Sequence, residues 1–425
     1  MTKVIIPAFN LHGHVAPMLY IAKELISRGH EVTVITGSFF KEAVEKTGAG
    51  FVPLLDSGDF DPEDYNDPER LALQGLDRAN YDMERFLIGT MAGKYKTLQK
   101  VLAAYGEDQP VVLTETGFAM FGAGPDLLGA PGLRAKGYVV IGTTSLTHSS
   151  MDTAPFGMGL DPDSSEEGRA RNMAQNEFMK NTEQQKLYEK VLTDLGVTAE
   201  IPYMFDIPAY ADSFLQLSVE EINYKRSDLP KSVRFIGALP TPPSVDVQLP
   251  AWWPDVLAAE HVVVVTQGTA SNGDFGDLIE PTLEALADLP VLVIAATGSK
   301  SEIKNVPANA RVVEFVPFVD LLPHTSVLVT NGGFGGTQQA LSFGVPMVLA
   351  GETEDKLETN VRTAHTGAAI NLKTQKPTPE AVREAVKNVL SNPSYLKNAH
   401  RLQAEFSALD PYTAIEDTIV RLAAK

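Results

Sequence analysis

The chain of 425 residues has no cysteine, fewer basic than acidic residues and no long hydrophobic run. Without cysteine it can form no disulfide, no thiolate metal site and no cysteine nucleophile, which fits a reducing compartment. The formal net charge of −19 would repel a nucleic-acid backbone. The apolar run at 4–9 is too short for the core of a signal sequence or for a membrane span. These absences predict a soluble, cytoplasmic protein with no nucleic-acid partner and no membrane insertion.

Two common phosphate-binding fingerprints are also missing. The glycine-rich stretch NGGFGG at 331–336 has neither the G-x-G-x-x-G spacing nor a following G-K-[ST]. A dinucleotide fingerprint and a Walker A loop are therefore unsupported. The stretch still runs from strand through glycine-rich turn to helix, which lets backbone N–H groups approach a phosphate. The alternative is a tight turn with close packing of helix on sheet.

The residues that are present follow an α/β pattern. A strand-like run at 4–9 leads into a helical repeat that begins at Pro17 and stops at Gly29, and a second strand-like run follows. Strand, helix and strand in this order are typical of the βαβ unit of a parallel sheet. A second series of such units begins at 261, after a proline-rich stretch at 238–254. The pattern predicts two parallel-sheet domains with a cleft at the carboxyl ends of their strands.

Two of the 8 histidines, His12 and His14, lie in the stretch FNLHGHVAP at 9–17. A zinc site needs three or four ligands, and no nearby carboxylate or cysteine has ligand spacing, so no metal site is predicted. A histidine just before a helix would be kept neutral by the helix dipole and could accept a proton, which suits a general base. Alternatively, both histidines are polar residues that fill a turn.

Four stretches of the chain carry a resemblance to a known family. The stretches 9–36, FVPF at 315–318, NGGFGGTQQAL at 331–341 and EDK at 354–356 resemble family 1, the UDP-sugar-dependent glycosyltransferases with the GT-B fold, and in particular its macrolide-type branch. The resemblance implies an α/β architecture in which two Rossmann-like domains face each other across a cleft. It implies an acceptor-binding domain at 1–230, a proline-rich linker at 231–260, a donor-binding domain at 261–400 and a C-terminal helix at 401–425 that packs back on the first domain.

The resemblance also implies a donor site. Phe315 would stack on uracil, the Val316 backbone would pair with the base edge, and Asn331 stands at the diphosphate-binding histidine of the family. Gln339 stands at the ribose-binding glutamate, and Asp355 would hold sugar hydroxyls. The other residues implied for the donor site are Gly268, Thr269, Gly333, Gly335, Gly336, Thr337 and Lys356.

Several of these positions depart from the family pattern. Asn331 keeps an N–H donor but loses any positive charge near the pyrophosphate, and Gln339 offers the ribose an acceptor with less charge. Gly336 replaces a hydroxyl residue. Lys356 replaces a glutamine and adds a cation beside the sugar, which leads to the hypothesis that the donor carries an anionic sugar. The departures leave the donor sugar open and allow weak catalysis.

The resemblance places the catalytic base at His14, the second histidine of the motif. A base of this kind is usually oriented by a carboxylate, which also stabilises its charged form. Glu115 stands where the family has an aspartate at a strand end; the alternative is a helix-capping or surface acid. No metal and no cofactor are expected, because the UDP-sugar is a co-substrate and backbone amides can stabilise the leaving diphosphate.

The acceptor site is predicted less directly. Phenylalanine and methionine side chains are concentrated between the strands of the first domain, and such side chains suit an adaptable apolar pocket. The alternative for each of them is a place in the core. The residues predicted to contact the acceptor are His12, Phe86, Phe118, Phe121, Met151 and Phe156.

Together these observations predict an inverting glycosyltransferase that moves a sugar, glucose in the first instance, from a UDP-sugar to a hydroxyl of an apolar small molecule. A phenol, a polyketide or a terpenoid would suit the acceptor site. Two other functions stay open: a weak or inactive UDP-sugar-binding module, and a nucleotide-sugar epimerase of similar architecture. A DNA-modifying glucosyltransferase is disfavoured by the net charge. The protein is expected to be a monomer or a homodimer.

Overall fold

The computed structural model describes residues 1–73, 75–240, 249–268, 274–298 and 303–425. These residues form two parallel β-sheets covered by helices. The first sheet has the strand order β3-β2-β1-β4-β5-β6-β7 and the second the order β10-β9-β8-β11-β12-β13. Every pairing in both sheets is parallel. The predicted α/β architecture of two Rossmann-like domains is confirmed.

The first half of the chain contains the strands of the first sheet and nine α-helices among the described residues. The strands are β1 (Lys3–Pro7), β2 (Glu31–Thr36), β3 (Gly50–Pro53), β4 (Val111–Glu115), β5 (Gly137–Gly142), β6 (Ser213–Gln216) and β7 (Val233–Phe235). The helices are α1 (His12–Ser27), α2 (Lys41–Glu45), α3 (Pro68–Ala72), α4 (Gly75–Asp82), α5 (Met91–Tyr105), α6 (Thr116–Phe121), α7 (Gly124–Leu127), α8 (Glu166–Met179) and α9 (Glu183–Asp194).

The second half contains the second sheet and the remaining helices. The strands are β8 (Val262–Thr266), β9 (Leu292–Ala296), β10 (Ala310–Val313), β11 (Val327–Thr330), β12 (Met347–Leu349) and β13 (Ala369–Asn371). The helices are α10 (Trp253–Ala258), α11 (Ile279–Leu286), α12 (Phe318–Leu321), α13 (Phe334–Ser342), α14 (Lys356–His365), α15 (Pro379–Ser391), α16 (Pro393–Ser407) and α17 (Pro411–Ala423).

Helix α1 begins five residues earlier than the position predicted from Pro17. The backbone N–H groups of His14 and Val15 both donate to the Leu11 carbonyl, so a first turn forms ahead of the proline. Pro17 therefore lies in the second turn of α1, where its missing N–H forgoes one backbone bond, to the Gly13 carbonyl. The predicted stop is confirmed: Gly29 has a φ of 87° and donates to Ile26, while His30 donates to Leu25, which is a Schellman ending.

The first sheet extends past the predicted domain boundary at 230. Strand β7 pairs with β6 through Phe214 and Val233 and forms the edge of that sheet. It therefore lies in the stretch assigned to the linker. Residues 241–248, the centre of that stretch, lie outside the described residues.

The last helix returns to the first sheet. Ile415, Ile419 and Leu422 of α17 are buried in one hydrophobic cluster with Val4 and Ile6 of β1. The preceding helix, α16, packs on the second domain, so the chain crosses between the domains at the junction of these two helices. Within the described residues, no helix is both long and apolar enough to cross a membrane.

Truncating this C-terminal contact should destabilise the protein. Ile419→Ala removes a fully buried side chain and should lower the free energy of unfolding by about 2–5 kcal/mol. Val420→Ala, at a neighbouring position that is 45% exposed, should change it by less than about 0.5 kcal/mol. Urea denaturation followed by circular dichroism measures both; equal midpoints would contradict the packing of α17.

Candidate active site

His14 and Glu115 meet at the carboxyl edge of the first sheet. Strands β1 and β4 are neighbours, so the turn after β1 lies beside the end of β4. His14, in the first turn of α1, places Nδ1 2.6 Å from Oε2 of Glu115. The imidazole side chain is 32% exposed, whereas the glutamate side chain is fully buried. The histidine therefore faces the cleft with the carboxylate behind it.

The carboxylate of Glu115 is held in one orientation by backbone donors. Oε1 accepts from the N–H of Phe9 at 3.1 Å and of Phe118 at 2.6 Å, and Oε2 accepts from Gly117 at 2.6 Å. The last two bonds cap the start of α6. Glu115 is thus both the helix cap that was considered for it and a partner of His14. No described residue bonds to Nε2 of His14, which leaves that nitrogen directed away from the glutamate.

The electrostatics of the pair correct the expectation that the helix dipole keeps His14 neutral. Burial lowers the pKa of His14, but the charge of Glu115 and its hydrogen bond more than offset this, so the pKa is raised. For Glu115, burial raises the pKa, and the charge of His14 with the hydrogen bonds outweighs it, so the pKa is lowered. The arrangement stabilises imidazolium beside carboxylate.

Asp355 of the second domain lies across the cleft from this pair. It precedes α14, and its Oδ2 accepts a hydrogen bond of 2.7 Å from Thr144 of the first domain. Its charge is among those that act on His14. Burial raises the pKa of Asp355, while Lys356 and the Thr144 bond oppose that rise. The carboxyl edges of the two sheets therefore bring these groups together.

The glycine-rich turn lies between β11 and α13. Asn331, at the end of β11, donates from Nδ2 to the Gln267 carbonyl, and Asn360 of α14 donates to the Asn331 carbonyl at 3.2 Å. A Cβ built on Gly333, Gly335 or Gly336 would meet no atom within 4 Å. The first turn of α13 therefore presents an open backbone surface, which is suited to an anionic group.

The glycine-rich turn is tied to the first domain by Phe334. This side chain stands between two of the glycines and is buried in the cluster formed by β1, α1 and α17. The position of the backbone N–H groups around it is therefore fixed relative to the first domain as well as to the second sheet.

Comparison with known proteins identifies the chain. A model of the glycosyltransferase family 28 N-terminal domain matches residues 12–123, and a model of the erythromycin biosynthesis protein CIII-like C-terminal domain matches residues 280–422. UDP-glycosyltransferase 2 of Phaeomoniella chlamydospora is 42% identical over 99% of this chain and 96% of that protein. UDP-glucosyltransferase avaP of Aspergillus versicolor is 37% identical over 99% of this chain and 97% of that protein. The chain belongs to the family 1, UDP-sugar-dependent glycosyltransferases.

Solved structures agree with this assignment at the level of the fold. The glycotransferase of kitacinnamycin matches with a TM-score of 0.74 at 24% identity, over 99% of both chains. CalG4, the calicheamicin glycosyltransferase, matches with a TM-score of 0.73 at 17% identity, over 100% of this chain and 99% of that chain. The GT-B arrangement predicted for this glycosyltransferase is confirmed.

The other residues predicted for the donor site of the glycosyltransferase take varied positions. The ring of Phe315 is 71% exposed, Val316 is buried, and Gln339 is half-buried. Gly268 follows β8 with a φ of 71°, and Thr269 lies outside the described residues. Thr337 does not fit its predicted role, because its side chain is buried and its hydroxyl donates to the Phe334 carbonyl at 2.8 Å.

Lys356 is buried and paired within its own turn. Its ammonium group forms an ion pair with Glu354 and lies 3.3 Å from the Thr353 hydroxyl. Glu354 adopts a φ of 58°, an uncommon conformation for a residue other than glycine. The negative charge of Glu354 thus neutralises the positive charge of Lys356, and the hypothesis of an anionic sugar depends on that positive charge.

Two of the predicted acceptor contacts are core residues. Phe118 is buried in the cluster between the first sheet and α5, and Phe121 packs in a second cluster against Tyr188. Aromatic residues on helices beneath the sheet edge look the same in sequence whether they face a core or a cleft. His12 is exposed and packs edge-on against Phe39 and Phe40, as a residue of the turn would.

The remaining predicted acceptor residues lie nearer the surface or in an aromatic group. Met151 and Phe156 are half-buried on the segment that follows β5, where Phe156 contacts Phe205. Phe86 is buried against Phe60 and Tyr65, with ring centroids 5.2 and 4.4 Å away.

The link between this aromatic group and His14 cannot be recognised in the sequence. Phe9 contacts both His14 and Phe60, with ring centroids 5.3 and 5.7 Å apart. The ammonium group of Lys94, which is fully buried, lies 3.8 Å from the centre of the Phe9 ring. Helical spacing on α5 could identify position 94 as buried, but no local pattern indicates its neighbours.

Alanine at two adjacent glycines should distinguish the structural role of the turn from the UDP-binding role predicted for it. Gly332 has a φ of 89°, and a Cβ there would lie 1.6 Å from Oδ1 of Asn360, so Gly332→Ala should destabilise the fold by about 2 kcal/mol. Gly333→Ala, with open space around it, should keep its thermal midpoint and weaken UDP binding.

Thermal unfolding and UDP titration of both variants provide the test. If Gly333→Ala binds UDP as the unmodified protein does, the diphosphate does not approach this face of the turn. If Gly332→Ala unfolds at an unchanged temperature, the contact with Asn360 is not a constraint on the turn.

Proposed function

We propose that this glycosyltransferase transfers glucose from UDP-glucose to a hydroxyl of an apolar small molecule, with His14 as the general base. The observation that carries the proposal is the 2.6 Å contact between His14 and Glu115 at a cleft that also holds Asp355. A phenol, a polyketide or a terpenoid alcohol would suit such an acceptor site. In this proposal the base and the acceptor lie at the carboxyl edge of the first sheet, and the UDP-sugar lies at the carboxyl edge of the second.

In this mechanism Nε2 of His14 accepts the proton of the acceptor hydroxyl. As that proton leaves, the oxygen attacks the anomeric carbon of the sugar, the new C–O bond forms, and the bond to UDP breaks. The imidazolium that results is stabilised by Glu115, in the manner of a histidine oriented by a buried carboxylate. A single displacement inverts the anomeric configuration, so a product with retained configuration would contradict the mechanism.

The proposed donor site lies on the second domain, between the exposed ring of Phe315 and the open start of α13. The ring of Phe315, which is 71% exposed, would stack on uracil, with the Val316 backbone at the base edge and Gln339 at the ribose. Gly333, Gly335 and Gly336 offer backbone N–H groups at the start of α13 to the diphosphate, together with Asn331. Such donors stabilise the charge that develops on the leaving group without a metal ion.

A neutral sugar is favoured by the charges around Asp355. Because Lys356 is paired with Glu354, the sugar pocket gains no net positive charge from this lysine, which is therefore not an unpaired counter-ion for an anionic sugar. Asp355 can accept hydrogen bonds from sugar hydroxyls. The name of the Aspergillus relative, a UDP-glucosyltransferase, supports the choice of glucose.

An apolar acceptor is favoured by the aromatic group next to the base. Phe9, Phe60, Tyr65 and Phe86 are in successive contact, and the first of these rings also contacts His14. Phe9 and Phe86 are buried, so the half-buried Phe60 and Tyr65 are the rings of this group that would offer contact area to an apolar or aromatic acceptor. An acceptor hydroxyl carried on such a scaffold would be directed towards Nε2.

Mass spectrometry of the reaction products tests the proposal. UDP-glucose incubated with a panel of phenolic, polyketide and terpenoid alcohols should give a mass gain of one hexose, and His14→Ala should lower the rate by about 10²–10⁴-fold. His400→Ala, at an exposed position on α16, is the matched control and should react normally. UDP binding without turnover in the unmodified protein would favour the binding-module alternative.

The pH profile tests the role of Glu115. Because Glu115 raises the pKa of His14 above its usual 6.5, the acid limb of kcat/KM should lie above that value, since only the neutral imidazole accepts a proton. In Glu115→Gln the limb should move to lower pH, and turnover should fall much more than acceptor affinity. Unchanged turnover would rule out the partner role.

A further inference from the structure

Two consecutive threonines stand between the carboxylates of the cleft. Thr143 and Thr144 directly follow β5. The Thr143 hydroxyl lies 3.5 Å from Oε2 of Glu115, and the Thr144 hydroxyl donates to Oδ2 of Asp355 at 2.7 Å. One of these side chains thus faces the first-domain carboxylate, and the next one bonds to the carboxylate of the second domain.

The Thr144 bond is the end of a longer contact between the domains. One face of α14 bonds to the segment after β5: Thr359 contacts the Ser145 hydroxyl at 3.3 Å, and Arg362 donates to the Leu146 carbonyl at 3.0 Å. Glu358, buried, accepts from the backbone N–H groups of residues 157 and 159 at 3.0 and 2.8 Å. These contacts between α14 and residues 144–159, called the seam below, hold the N-terminus of α14, and with it Asp355, against the first domain.

We propose that Thr144 is a positioning residue that orients Asp355 for the donor sugar, so that the first domain completes the donor site. The inference rests on the proposed role of Asp355 in holding sugar hydroxyls. With Oδ2 bound by Thr144, rotation of the carboxylate is restricted, and no described residue bonds to Oδ1. A hydroxyl of the sugar is then the natural donor to Oδ1.

The consequence is a selective effect on the sugar part of the donor. Thr144→Val keeps the shape of the side chain but removes the donor, which frees Asp355 to rotate. Without this restraint the hydrogen bond from the sugar to Asp355 is weakened or lost, and loss of a hydrogen bond to a charged group corresponds to about a tenfold change in affinity. The Kd of UDP-glucose should therefore rise about tenfold, while the Kd of UDP, which lacks the sugar, should change less than about twofold.

Calorimetric titration with UDP-glucose and with UDP measures the Kd of UDP-glucose divided by the Kd of UDP. Thr144→Val should raise this ratio, and Thr144→Ser, which restores a hydroxyl, should return it towards that of the unmodified protein. Ser145→Ala removes a neighbouring hydroxyl of the same seam that does not touch Asp355, and should leave the ratio unchanged. If Thr144 served only to hold the two domains together, Thr144→Val and Ser145→Ala would each raise the Kd of UDP-glucose and the Kd of UDP by the same factor.

Asp355→Asn separates this inference from the proposed function. If Asp355→Asn leaves the ratio of Kd values unchanged, Asp355 does not hold the sugar and the proposed donor site is wrong. If Asp355→Asn raises the ratio but Thr144→Val does not, the positioning role of Thr144 alone is overturned. Circular dichroism checks the fold of each variant, and Thr144→Ala replaces Thr144→Val in the same titration if the valine variant does not fold.

Discussion

The buried carboxylate of Glu115 is the constraint on which the geometry of the cleft depends. A fully buried carboxylate is costly unless hydrogen bonds and a counter-charge compensate it. Here three backbone N–H groups and His14 supply that compensation. The same bonds tie the turn after β1 to the end of β4 and to the start of α6. The imidazole is therefore held at the cleft by interactions that the fold needs in any case.

The second domain meets this arrangement through α14. Its N-terminal Asp355 bonds to Thr144, and its buried residues Glu358 and Arg362 bond to backbone groups of the first domain. The glycine-rich turn is also fixed from both sides, because Phe334 packs into the first domain and Asn360 bonds to the strand ends of the second. The groups implied for the sugar and the diphosphate are thus positioned by contacts between the domains as well as by their own sheet.

Local patterns predicted the first strand and the end of the first helix, but not strands β6, β7 and β13. The first strand, its helix and the stop at Gly29 follow from apolar spacing and from a glycine that can adopt a positive φ. Strands β6, β7 and β13 have only 3 or 4 residues, too few for a periodicity to be recognised. These three segments form strands because they pair with a neighbouring strand, and the pattern of a single sequence carries no information on pairing.

The sequence by itself determined the fold class and the family, because His14 and the glycine-rich turn belong to motifs that are continuous along the chain, and the resemblance indicated Glu115 as the carboxylate beside His14. Only the tertiary structure decided that Phe334 of the glycine-rich turn packs into the first domain and that Thr144 reaches Asp355. Those facts depend on contacts between residues far apart in the chain, in the last case 211 positions, and no local spacing encodes them. They arise only when the two sheets are brought edge to edge.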